Sequence, residues 1–133
     1  MPGPERIEER LSSEDPAEVS TAMDEIESLL RRKEWDGPIP PSIVTLLESD
    51  RTETRRRAIW LIGKFAQDKI KTAYPLETVT SLCADQDEET RENAAWTIGE
   101  MAGLGIGGTE QVDRLADFLS KRPHPHGPKM MPK

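Results

Sequence analysis

The chain has 133 residues, a formal charge of −7, 32% charged residues and 5% aromatics. That length favours one domain, and so few aromatics leave its core to Leu, Ile, Val and Ala. The negative charge argues against non-specific binding to phosphate backbones or anionic lipid, the single cysteine excludes an internal disulfide, and the lack of a bilayer-length apolar run or a signal-peptide layout leads us to expect a soluble cytoplasmic protein.

Residues 1–4 read as a short tail, and Glu5 to Leu11 as a weak helix with Ile7 and Leu11 one turn apart. Asp15 is placed to cap the next helix, with Pro16 at its first position. Val19, Ala22, Met23, Ile26, Leu29 and Leu30 then form an apolar stripe at helical spacing, closed by Arg31, Arg32 and Lys33 at the negative end of the helix dipole. Glu34 to Pro41 holds three prolines and a glycine and reads as a linker, with Trp35 as a lid over the groove between helices. Ser42 to Ser49 is a short helix, Asp50 to Thr54 a turn, and Arg55 to Ala66 a longer helix, which Gln67 to Tyr74 can extend by a turn. Pro75 to Ala84, Asp85 to Glu89 and Thr90 to Ala102 repeat that helix, acidic turn and helix, and Gly103 to Gly108 ends the run. Glu110 to Lys121 is one more amphipathic helix, with Val112, Leu115, Phe118 and Leu119 on one face. Arg122 to Lys133 is proline-rich and expected to be disordered.

These elements repeat every 36 residues. Thr54, Arg55, Ala58, Trp60, Ile62, Gly63 and Ala66 fall on Thr90, Arg91, Ala94, Trp96, Ile98, Gly99 and Ala102. The same offset joins Ile7, Ile43, Val79 and Leu115, and also Leu11, Leu47, Cys83 and Leu119. In the second helices it joins Ala22 with Ala58 and Ala94, and Ile26 with Ile62 and Ile98. Core positions in step at a fixed period predict stacked copies of one two-helix unit.

The units 39–66 and 75–102 resemble HEAT repeats of the short prokaryotic kind. The pattern stands here as Leu46-Leu47, Asp50, Arg55, Ala58 and Ile62-Gly63, and again as Leu82-Cys83, Asp87, Arg91, Ala94-Ala95-Trp96 and Ile98-Gly99. Residues 5–33 fit by register, with Val19 in place of the arginine and Glu27 in place of the glycine, as a capping first repeat would. The resemblance implies an all-α, right-handed solenoid of antiparallel helix pairs. Its expected layout is a tail at 1–4, a repeat domain at 5–121 with repeats at 5–33, 39–66 and 75–102 and a final helix at 109–121, and a tail at 122–133. It also implies a non-catalytic scaffold or adaptor whose second helices line a concave wall offered to a protein partner or a larger assembly, on which the C-terminal tail could order.

On that wall the expected row is Arg56, Trp60, Lys64, Glu92, Trp96 and Glu100. Each Trp lies two residues, or 200° of helix, beyond a core-facing alanine. The two indoles serve either as partner anchors or as packing between repeats. The charges beside them turn from basic to acidic along the stack, unless they are simply solvated. Arg55 and Arg91 read as structural, bridging to Asp50, Asp85 or Asp87. The cluster from Arg51 to Lys71 supports a rival reading as a nucleic-acid or ribonucleoprotein accessory factor, although Glu48, Glu53 and Asp68 interrupt it. A second rival is an accessory subunit for an enzyme or for cofactor attachment.

No catalytic, cofactor or metal site is expected. Cys83 occupies a core slot without a His or acid partner. His124 and His126 are only two ligands, and the GLGIGG run lacks the strand that a phosphate loop follows.

Overall fold

The computed structural model describes residues 4–107, with side chains from Arg6 onward. Among the described residues there are six α-helices and no strand: α1 (Pro4–Leu11), α2 (Pro16–Arg31), α3 (Pro41–Leu46), α4 (Thr52–Gln67), α5 (Leu76–Leu82) and α6 (Glu88–Gly103). A short helix precedes a 16-residue helix three times. The expected final helix at 109–121 and the tail at 122–133 lie outside the described residues.

The 36-residue register is also the register of burial. Ile7, Ile43 and Val79 are buried, as are Leu11, Leu47 and Cys83. On the longer helices Ala22, Ala58 and Ala94, and Ile26, Ile62 and Ile98, are buried in the same way. The alanines let helix backbones approach, while the branched residues fill the space between pairs. α4 is the middle helix, so Ile59, Leu61 and Phe65 are buried on its other sides as well. Trp35 meets the edge of Phe65 at a centroid distance of 5.4 Å, and its indole N–H donates to the Gly37 carbonyl at 2.9 Å. It therefore covers the junction of the linker and α4.

The helix ends also repeat. Asp15 caps α2, accepting from the Ala17 amide at 3.0 Å, with Pro16 in the first turn. Asp87 caps α6, accepting from the Thr90 amide at 2.9 Å. α4 starts three residues before the expected Arg55, and α6 two before Thr90, because the turn residues already take helical geometry. At the other ends, Lys33, Lys69 and Gly105 all have positive φ, at 59°, 61° and 81°. Each is followed by an amide that reaches back across the last turn: Glu34 to the Leu29 carbonyl, Ile70 to Phe65 and Ile106 to Met101. These are Schellman closures, for which glycine is the unstrained choice. Lys33 thus stands beyond the helix rather than in its last turn, while Gly103 remains inside α6. Lys69→Gly is accordingly expected to stabilise the protein by about 1 kcal/mol, by removing the left-handed strain of a side-chain-bearing residue. Thermal melts check this, with Lys69→Ala as control: if the glycine and alanine variants melted together, position 69 would carry no strain.

Candidate partner-binding surface

The three long helices do not pack alike. Between α4 and α6 the backbones come close at Gly63. A β-carbon there would lie 2.3 Å from Cζ3 of Trp96 and 2.7 Å from Oγ1 of Thr97. The Thr97 hydroxyl donates to the Ile59 carbonyl at 3.2 Å, and Asn93 Nδ2 to the Arg56 carbonyl at 3.3 Å. Between α2 and α4 the equivalents are different residues: Glu27 for Gly63, Leu61 for Thr97 and Arg57 for Asn93. Arg57 pairs with Asp24 and reaches Glu27 at 3.1 Å, and Arg31 lies 3.8 Å from Glu27. A carboxylate-bearing side chain replaces a bare Cα, so Trp60 is not seated on α2 as Trp96 is on α4.

A cleft of about 520 Å³ opens beside Trp60 instead. Leu30 and Trp60 supply its apolar walls, with Glu27, Lys33, Lys64 and Asp68 around them. Lys64 Nζ stands 5.4 Å from the Trp60 ring centroid and donates to Gln67 Oε1 at 2.9 Å. The ammonium over the ring is a weak cation–π contact at this exposure. Lys33 pairs with Asp68 at 2.8 Å across the rim.

The expected row is therefore split in its contacts. Trp60 and Lys64 share the cleft. Trp96, half-buried, has its ring against Gly63. Glu92 and Glu100 are half-exposed on α6 and enter no ion pair among the described residues. Arg56 is turned to the next repeat: Nε and Nη2 donate to the two oxygens of Asp87 at 3.2 Å each, and Glu89 lies 3.4 Å away.

Three of the seven cations of the basic cluster, Arg55, Arg56 and Arg57, are neutralised in the same way. Arg55 grips Asp85 by Nε at 3.0 Å and Nη2 at 3.1 Å, as the acidic-turn reading expected, and Arg57 turns back to α2. The three consecutive arginines of α4 thus serve as staples to both neighbours. Charges 30 to 33 residues apart in sequence meet here, so a local reading of the chain cannot pair them.

Among the described residues Asp87 has the most perturbed carboxyl. The Arg56 guanidinium, first, and the Thr90 hydroxyl and amide hold it down to about 2, below its ordinary 3.8, while the same contact raises Arg56 further. A depressed carboxyl stabilises the fold above its unfolded value and loses that contribution as pH falls through its folded value. Thermal melts should therefore show a stability loss between about pH 4 and pH 2 that is smaller in Asp87→Asn. An identical acid profile in the variant would contradict this assignment.

Among the described residues no three His, Cys, Asp or Glu side chains gather to hold a metal, and no helix is long and apolar enough to cross a membrane. Cys83 is buried in the first-helix row of the core. No curated protein matches the chain. The profile of the family described as HEAT repeats matches residues 39–126, about two-thirds of the sequence. Family match, all-helical architecture and the register of buried rows agree: this chain belongs to the HEAT-repeat family.

Proposed function

We propose that the protein is a non-catalytic interaction module, a scaffold or adaptor that receives a side chain of a protein partner in the Trp60 cleft. HEAT repeats are generally protein-interaction modules. The observation that carries the finer reading is the contrast between the two indoles. Trp96 is spent on Gly63, whereas Trp60 stands beside an open cleft with an apolar floor. A rigid ring at the wall of a partly apolar cleft gains contact area with little loss of entropy. Arg31, Lys33 and Lys64 lie around it, and of these Lys64 faces a ring and an amide rather than a carboxylate. An apolar side chain flanked by an acidic residue is the complement. Glu92 and Glu100, further along the row, set the sign of a second contact, where cations are favoured. The nucleic-acid reading is weakened because Arg55, Arg56 and Arg57 are each bound to carboxylates.

Trp60→Ala is the direct test, because it removes the cleft wall without touching the Gly63 contact. Affinity for a partner captured from native lysate is expected to fall at least tenfold, as for a buried aromatic anchor, with the fold intact by circular dichroism. Lys64→Glu should lower it further for an acidic partner. Unchanged affinity in both variants would refute the cleft as the docking point and leave the family assignment standing.

A further inference from the structure

The linker between α2 and α3 carries Trp35-Asp36-Gly37-Pro38, in which Asp36, Gly37 and Pro38 are exposed. A side-chain carboxyl reaches the next backbone nitrogen most easily when glycine follows, because no β-carbon stands in the path. Gly37 has φ +103°, and nothing lies within 4 Å of where its β-carbon would be. Its amide makes no hydrogen bond among the described residues, and neither does the Asp36 carboxyl. Both groups are thus adjacent, open and unbound.

The other described aspartates each lack one of these conditions. Asp15 precedes Pro16, which has no N–H. Asp24 lies inside α2, where the next amide belongs to the helix. The amide after Asp50 donates to Ser49 Oγ at 3.1 Å, and the amide after Asp68 to the Ala66 carbonyl at 2.9 Å. The carboxylates of Asp85 and Asp87 are held by Arg55 and Arg56. None of these aspartates is followed by glycine.

We propose that Asp36 is a site of spontaneous backbone modification, closing on Gly37 to a succinimide that reopens as isoaspartate or aspartate. The Gly37 nitrogen attacks Asp36 Cγ. The N–Cγ bond forms, the Cγ–OH bond breaks, and the hydroxyl leaves as water with the amide proton. Water then adds to either carbonyl of the five-membered ring. Addition at Cγ restores aspartate. Addition at the Asp36 backbone carbonyl breaks its bond to the Gly37 nitrogen, so that the chain runs on through Cβ and Cγ. One water leaves and one returns, and no co-reactant is consumed.

The consequence falls on Trp35. Its indole N–H donates to the Gly37 carbonyl at 2.9 Å while its ring meets Phe65 edge-on. The Ile39 amide, donating to Thr72 Oγ1 at 3.1 Å, pins the far end of the same loop. Isoaspartate adds one backbone carbon, about 1.5 Å of chain, between these fixed points. The Gly37 carbonyl is then displaced from hydrogen-bond range of the indole, and the Trp35 contact with α4 loosens.

The test ages the full chain at neutral pH in oxygen-18 water. Trypsin then releases residues 34–51, which contain Asp36 and, as internal control, Asp50. Fragmentation is expected to place oxygen-18 and isoaspartate at Asp36, at least tenfold above Asp50. Gly37→Ala and Asp36→Glu should each slow the reaction at least tenfold. The second keeps the turn glycine, and so guards against a loop deformed by alanine at positive φ. In the aged fraction, nitrogen-15 NMR should show the Trp35 indole N–H losing its protection from exchange. The proposal is overturned if a synthetic 34–51 peptide isomerises while the folded chain does not, because the fold would then shield Asp36. It is overturned equally if Asp50 is labelled to the same extent, if Asp36→Glu ages as fast as the parent, or if the Trp35 indole stays protected. Trp60→Ala should change none of these results, so failure here is distinct from failure of the cleft.

Discussion

Gly63→Ala is expected to destabilise the protein by about 2 kcal/mol, although alanine is the better helix former by about 1 kcal/mol. The added methyl would sit 2.3 Å from Cζ3 of Trp96, more than 1 Å inside ordinary contact, with Thr97 Oγ1 at 2.7 Å on the same side. Neither neighbour is free to give way. Thr97 is buried and donates to the Ile59 carbonyl, and the indole lies against helix α4 as a rigid plane. α6 must therefore move off α4, loosening the closest interface in the described residues. The matching change at Gly99 should do the reverse, because a β-carbon there meets nothing and only the helix preference, about 1 kcal/mol, is left. Opposite signs at two glycines one repeat apart are hard to obtain by any route except local packing. In a Trp96→Ala background the cost of Gly63→Ala should shrink by at least about 1 kcal/mol, because the two sites share the contact. Denaturant melts of the four proteins measure this. Equal destabilisation at both glycines would mean that the ring does not set the approach of the helices.

That contrast also marks how far the sequence could be read. The 36-residue register was legible because burial is periodic. Ala22, Ala58 and Ala94 cannot slip by one residue without turning every neighbour out of the core. The cap at Asp15 was legible because it is local, with donor and acceptor two residues apart; the cap at Asp87 is equally local but lay unread within an acidic turn. The closures at Lys33 and Lys69 were not, since a lysine after a helix reads as a charge meeting the dipole; only Gly105 advertises positive φ. Trp60 and Trp96 look alike on their own helices. What separates them is the residue on the preceding long helix, Glu27 or Gly63, and that departure in the first repeat carries its meaning only once the helices are neighbours. The same holds for Arg55, Arg56 and Arg57, a basic patch in sequence and a set of staples in space.

The staple with the largest expected effect is Asp85. Its replacement by alanine should cost about 3 kcal/mol, because three donors lose their acceptor at once. Nε and Nη2 of Arg55 bind its two oxygens, and the Asp87 amide donates to Oδ2 at 2.9 Å. Position matters more than charge. The Arg55 and Asp85 side chains are only 17% and 11% exposed, so water cannot replace what is lost. Arg32 and Glu34, at 3.5 Å, are 56% and 57% exposed, and such a pair contributes about 0–1 kcal/mol. Asp85→Asn keeps oxygen for one donor and should cost about half as much as the alanine. A double-mutant cycle of Asp85→Ala with Arg55→Ala should give a coupling of at least about 1.5 kcal/mol, and 0.5 M salt should weaken it less than it weakens Arg32 and Glu34. Asp50 is the internal control, an exposed acid of the preceding turn with no ion pair among the described residues. Were Asp85→Ala no costlier than Asp50→Ala, the fork would be a solvated surface charge. The rotation of one repeat on the next would then rest on the alanine and isoleucine rows alone.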